Sequence, residues 1–187
     1  MLPYPTHIGH IAYAPEQQGG LRCVLCGPYP VHACGPRIIE NFLDMAHFHF
    51  IHSGMLGDPC YTEVPDYQVG PMVEYTYRVV RPLTAILTKL PQPQGGVIEA
   101  IRLFVQPLDE EHCQAWISLA MSNHTSSDEE LRAFQDRIFL QDLETLKAQR
   151  PKKLLLEPGV EVPQRADRLS AAYRRMLERL GLRYGAL

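Results

Sequence analysis

At 187 residues with 45% hydrophobic content, the chain is long enough to bury a sizeable core and short enough to be one domain. Eighteen Lys and Arg against 21 Asp and Glu leave a net charge of -3, which supplies no basic field for nucleic acid. No apolar run approaches the roughly 18 to 20 residues that cross a bilayer, and Met1-Leu2-Pro3-Tyr4-Pro5 lacks the basic and apolar regions of a secretion signal, so a cytoplasmic protein with no membrane contact is expected.

Residues 1–36 are rich in Pro and Gly and read as an N-terminal arm, with short strands at Ile8–Tyr13 and Leu21–Cys26 around the Gly19-Gly20 turn. The cluster Cys23, Cys26, His32 and Cys34 is chemically able to bind zinc. The five cysteines of the chain are nevertheless an odd, scattered set, and the simpler reading is a strand in which cysteine acts as a small buried hydrophobe. Ile38–Ile51 is apolar all round, with Asp44, His47 and His49 embedded and Ser53-Gly54 as a stop, which predicts one mostly buried helix. Beta-branched and aromatic segments then predict strands at Met72–Val80, Thr84–Leu90, Gly96–Gln106 and Cys113–Ser122, the last two forming a hairpin through Pro107–Glu111. The frame Ser126-Ser127-Asp128-Glu129 predicts a capping box opening a long helix that Pro151 ends. A last amphipathic helix is expected over Arg165–Leu180, with Leu169, Ala172, Tyr173, Met176, Leu177 and Leu180 facing the core. This order predicts an alpha+beta domain of the helix-grip type, a curved antiparallel sheet crossed by the long C-terminal helix and enclosing a pocket.

The chemistry concentrates in residues 40–54, where metal-competent groups sit among hydrophobes. A buried imidazole or carboxylate without a partner costs several kcal/mol by the usual figures, so these groups are expected to be paired or metal-bound. Asp44 and His47 are three apart and share a helical face. His47 and His52 are five apart, roughly 140° around a regular helix, so both reach one ion only if the helix is distorted or ends near His52. A third ligand is available on the long helix. Leu131, Phe134, Ile138, Asp142 and Leu146 follow steps of three or four, so Asp142 interrupts a core-facing stripe, whereas Asp136 and Glu144 lie off it. Two imidazoles and one carboxylate on one face of an ion suit a non-haem Fe(II) oxygenase. The same donors on zinc would imply a hydrolase, and a core helix with hydrogen-bonded histidines is the metal-free alternative.

The stretch Arg37-Ile38-Ile39-Glu40-Asn41-Phe42-Leu43-Asp44-Met45-Ala46-His47, with His52 and Met55-Leu56-Gly57, resembles the iron motif of the large subunits of Rieske non-haem iron oxygenases, most closely the vanillate O-demethylase branch. Gln141-Asp142-Leu143-Glu144 through Gln149 is similar to the helix bearing that family's third ligand, and Ala166-Asp167-Arg168 with Tyr173-Arg174-Arg175 resembles its closing helix. The resemblance implies iron ligands His47, His52 and Asp142, with Asp44 as the bridging carboxylate that links a ligating histidine to a Rieske cluster in the neighbouring subunit of a trimer. Phe48, Ile51 and Met55 become candidates for substrate contact. The family holds its [2Fe-2S] cluster on Cys-x-His and Cys-x-x-His pairs, which do not occur here. His32-Ala33-Cys34 has the reverse order.

The expectation is therefore a single catalytic domain over 1–187, with a helix-grip core at 37–180 and no Rieske domain. It would use Fe(II) and O2 for monooxygenation or oxidative O-demethylation of an aromatic or similarly apolar substrate. Electrons would come from an external Rieske [2Fe-2S] centre or ferredoxin, fed by an NAD(P)H reductase. The alternative from another class is a helix-grip module that binds a hydrophobic small molecule without catalysis.

Overall fold

In a computed structural model the chain is described over residues 21–56, 73–91, 99–122, 125–157, 159–162 and 164–187. The strand expected at Ile8–Tyr13, residue 72 of the one expected at Met72–Val80 and residues 96–98 of the one expected at Gly96–Gln106 lie outside these residues. Five strands, β1 (Arg22–Val31), β2 (Val73–Arg81), β3 (Thr84–Pro91), β4 (Glu99–Pro107) and β5 (Cys113–Met121), make one antiparallel sheet in the order β1-β5-β4-β3-β2. Alternation sends one residue in two to the covered face. Two cross-strand rows result, Cys26-Ile117-Leu103-Ala85 and Val24-Leu119-Ile101-Leu87, and they form the floor of the core.

The segment read from sequence as part of an arm instead contributes the edge strand β1, which runs five residues past its expected end at Cys26. Continuation is possible because an edge strand tolerates Pro28 and Pro30, and because Gly27 supplies the irregularity. Gly27 has φ 96° at the shift in register between Cys26 and Tyr29. A Cβ there would stand 2.8 Å from the Ala115 carbonyl oxygen. Cys23 is exposed and Cys26 buried, and the Cys23, Cys26, His32 and Cys34 set does not converge as a metal cluster among the described residues.

The expected single helix over Ile38–Ile51 is broken. Helix α1 (Gly35–Leu43) is buried along most of its length, but Asp44 is extended (φ -79°, ψ 118°), and only the single turn α2 (Phe48–Ile51) follows. The Asp44 carboxylate accepts the Ala46 amide at 2.7 Å, a local side-chain-to-backbone bond that competes with helix continuation. Far from being buried, α2 leaves Phe50 62% exposed.

The long helix α3 (Asp128–Ala148) opens with a capping box one residue later than expected: Ser127 and Glu130 exchange bonds of 3.1 and 2.8 Å. Both frames fit the sequence rule, and the later one leaves Asp128 in the first turn to meet the Arg22 guanidinium of β1. The buried side of α3 is Gln135, Ile138, Phe139, Asp142 and Leu146, slightly rotated from the expected stripe, so that Phe134 is 41% exposed. Tyr29 anchors α3 to β1 by stacking on Phe139 at 4.3 Å and donating to Asp136 at 2.6 Å. A 3-10 turn (Arg165–Asp167) leads into α4 (Arg168–Arg179), which seals α1. The last residues return to pair Leu154 with Ala186. The architecture is alpha+beta, an open antiparallel sheet gripped by α3, with α1 and α4 packed beside it.

Candidate metal centre

The break between α1 and α2 brings the two histidines together. With the chain extended at Asp44, His47 begins a new turn and His52 follows its end (φ -103°, ψ 32°), so the angular separation of a regular helix no longer applies. Their Nε2 atoms lie 3.2 Å apart. From α3, Asp142 Oδ1 stands 3.4 Å from His47 Nε2 and 3.1 Å from His52 Nε2. Three donor atoms from distant parts of the sequence thus form a nearly equilateral triangle, the one such ligand group among the described residues.

This triangle fits a first-row metal ion. Donors about 2.1 Å from one centre lie roughly 3.0 Å apart at right angles and roughly 3.4 Å apart at tetrahedral angles, and the three observed edges span that range. Asp142 Oδ1 is buried and makes no hydrogen bond, although two ring nitrogens are close. Such a carboxylate oxygen is costly unless a cation, either a bound metal ion or a protonated imidazole, neutralises it.

Charge at the site follows the same geometry. Burial pulls the His47 imidazole down, but the neighbouring Asp142 and Asp44 carboxylates outweigh it and push its pKa up to about 9. Burial raises the Asp142 carboxyl, yet the two imidazoles more than offset that and hold it at about 2. In the metal-free chain at neutral pH the pair is His47 imidazolium and Asp142 carboxylate.

Each ring has a different partner behind it. Asp44 Oδ2 is 3.6 Å from His47 Nδ1, an ion-pair approach just outside hydrogen-bonding range. His52 Nδ1 is 2.8 Å from Gln141 Oε1.

A cavity of about 130 Å³ adjoins the three donor atoms. Its walls are mainly apolar, including Phe42, Phe48, Leu87, Leu103 and Ile117, with the amides of Asn41 and Gln135 and the ammonium of Lys89 as polar members. Of the three candidates for substrate contact, Phe48 lines the cavity and Ile51 and Met55 do not, while Leu56 does. Gln135, Asn41 and Gln141 escaped the sequence reading. Gln135 was findable, since it precedes Asp142 by seven residues and shares its helical face. Gln141, one residue from Asp142, has no periodicity signal. A second recess of about 430 Å³, also bordered by His47, is lined by Asp44, Arg37, Glu40 and Arg174.

Comparison with known proteins gives the same region. Residues 31–71 and 61–183 match the family described as the vanillate O-demethylase oxygenase C-terminal domain. The chain is similar to a probable methylxanthine N7-demethylase (NdmC) of Pseudomonas sp. (strain TJI-51), with 38% identity over 88% of this chain and 68% of that protein. It is 29% identical to the methylxanthine N1-demethylase NdmA of Pseudomonas putida, over 86% of this chain and 51% of NdmA. Among solved structures, an NdmA variant with caffeine superposes with a TM-score of 0.77 at 28% identity, covering 96% of this chain and 54% of that one. NdmB, at 22% identity and TM-score 0.74, shares the fold. The chain spans about half the length of NdmA and of these solved structures.

Proposed function

This chain belongs to the vanillate O-demethylase oxygenase C-terminal domain family, the catalytic domains of Rieske-type oxygenases, and from that premise we propose that it is an Fe(II)-dependent oxidative demethylase acting on an N-methylated heteroaromatic ring. The observation that carries the proposal is the triangle of His47, His52 and Asp142, in which the buried Asp142 Oδ1 makes no hydrogen bond. These three side chains would hold the iron on one face, leaving the cavity side for dioxygen and substrate. When bound, the ion supplies activation of dioxygen toward a substrate methyl group.

The chain's own residues do the rest. Apolar walls exclude water and receive a flat ring. Gln135 is buried, lines the cavity and has no hydrogen-bond partner among the described residues. Its amide offers a donor and an acceptor together, which suits ring carbonyl and N-H groups better than a bare hydrocarbon. The relatives' methylxanthine substrates are of that class, and this favours N-demethylation over the O-demethylation expected from sequence. Asp44 faces both His47 and the recess, a place from which an outside redox centre can reach the site. Electrons would arrive there from a Rieske [2Fe-2S] centre in the neighbouring subunit of a trimer, fed by an NAD(P)H reductase. The overall change consumes dioxygen, two electrons and two protons. It yields the demethylated ring, formaldehyde and water.

The test is formaldehyde release from a panel of methylxanthines and methoxybenzoates, using the iron-loaded full-length protein and a reduced Rieske donor. One formaldehyde per dioxygen from a methylxanthine supports the reading. Release from methoxybenzoates alone contradicts the heteroaromatic assignment. No iron uptake, with zinc-dependent hydrolysis instead, overturns the oxygenase.

A further inference from the structure

The two histidines face chemically different groups at Nδ1, a carboxylate for one and an amide for the other. Behind His47 is the Asp44 carboxylate. Behind His52, which is 1% exposed, is a neutral amide oxygen, Gln141 Oε1, at 2.8 Å from Nδ1. An amide oxygen can only accept, so this bond places the proton of His52 on Nδ1 and leaves the Nε2 lone pair free. That lone pair is on the atom 3.2 Å from His47 Nε2 and 3.1 Å from Asp142 Oδ1. We infer that Gln141 is the positioning residue that fixes the tautomer and ring plane of His52 for metal binding, an inference that rests on the metal reading of the triad.

Two physical arguments make the glutamine more than a packing contact. Gln141 and Asp142 are consecutive on α3, so one helix delivers both the third donor and the group that aims the second. Any rotation or slide of α3 moves both together, and the site is assembled or lost as a unit. Satisfaction of a buried group gives the second argument. The His52 ring is shut away from solvent, and the Gln141 amide oxygen is the acceptor within reach of its Nδ1. Removing the acceptor leaves a buried ring N-H unsatisfied and frees the other tautomer, whose Nε2-H cannot bind metal.

The experiment measures zinc affinity by chelator competition for the wild type, Gln141→Leu and Gln141→Glu, with histidine side-chain 1H-15N correlation spectra of the zinc-free and zinc-loaded chains. Loss of the acceptor in Gln141→Leu is expected to weaken binding about 10- to 100-fold. Gln141→Glu, which retains an acceptor, should bind at least as tightly as the wild type. In the wild type His52 should carry its proton on Nδ1 with and without zinc. Gln141→Leu binding within threefold of wild type overturns the inference, as does Gln141→Glu as weak as Gln141→Leu. If Gln141→Leu does not fold, the glutamate variant and the wild-type spectra still decide, because His52 protonated on Nε2 in the zinc-free chain is incompatible with the role. A wild type that binds no metal removes the iron reading but leaves the tautomer result standing by itself.

Discussion

His47 is the residue whose environment makes the sharpest demand. With its pKa pushed up to about 9 in the metal-free chain, it must lose a proton before it can ligate, whereas Asp142, at about 2, is already ionised at neutral pH. Metal affinity should therefore climb close to tenfold per pH unit as pH rises toward 9 and level off above it. Calorimetric titration of Zn(II) in buffers of different ionisation enthalpy should find about one proton released per ion at pH 7, and zero release would contradict the assignment of His47. The sign is opposite for stability without metal. A histidine whose pKa is raised on folding stabilises fully below its unfolded value of about 6.5, and that contribution fades as pH rises through 9. Asp44 makes a different prediction, since its Oδ1 holds the Ala46 amide while Oδ2 faces His47. Asp44→Asn keeps the turn but removes the charge. It should retain iron within about tenfold and slow donor-coupled turnover, and an unchanged turnover rate would exclude a role in electron delivery.

The elements explain which parts of this site were legible in the sequence. Asp142 stood out because a carboxylate on a core-facing stripe of α3 has no ordinary reason to be there, and its burial follows from that spacing. The five-residue gap between His47 and His52 indicated that a regular helix could not serve both. The break fell before His47, where the Asp44 side chain outcompetes the helix for the Ala46 amide, and a local preference of that kind is not visible in hydrophobic periodicity. Strand β1 was cut short for a similar reason: Gly27, Pro28 and Pro30 read as loop, while their pairing with β5 is decided by tertiary contact. Partners such as Gln141 depend on which residue of one element meets which of another, and no spacing within either reveals them. Two stability predictions belong to the same scale. Ser127→Ala removes the cap of α3 and should cost about 1 kcal/mol, roughly 2 to 4 °C in melting temperature for a chain of this size; an unchanged melting curve would show that the capping bonds contribute nothing. Arg174 of α4 bonds Glu40 of α1 at 2.6 Å and also meets Glu161, while Arg37 approaches Glu40 at 3.2 Å. Burial raises the Glu40 carboxyl despite these guanidinium groups, so Arg174→Met strands a buried acid and should cost about 3 kcal/mol in denaturant titration. A loss under about 0.5 kcal/mol would mean that Arg37 alone suffices for Glu40.

At the scale of the whole molecule, sheet, grip helix and the broken α1-α2 pair converge on one small volume, where the cavity and the Asp44 recess both border His47. No helix among the described residues is long and apolar enough to cross a membrane. The proposed function depends on two imidazoles and one carboxylate binding a single redox-active ion, and the most direct measurement is anaerobic Fe(II) titration with nitric oxide as spectroscopic probe, read by electron paramagnetic resonance. The wild type should develop a high-spin iron-nitrosyl signal that saturates at one iron per chain, and His52→Ala and Asp142→Ala should each abolish it while keeping the wild-type circular dichroism. A signal that persists undiminished in both folded variants would place the iron somewhere else and contradict the account.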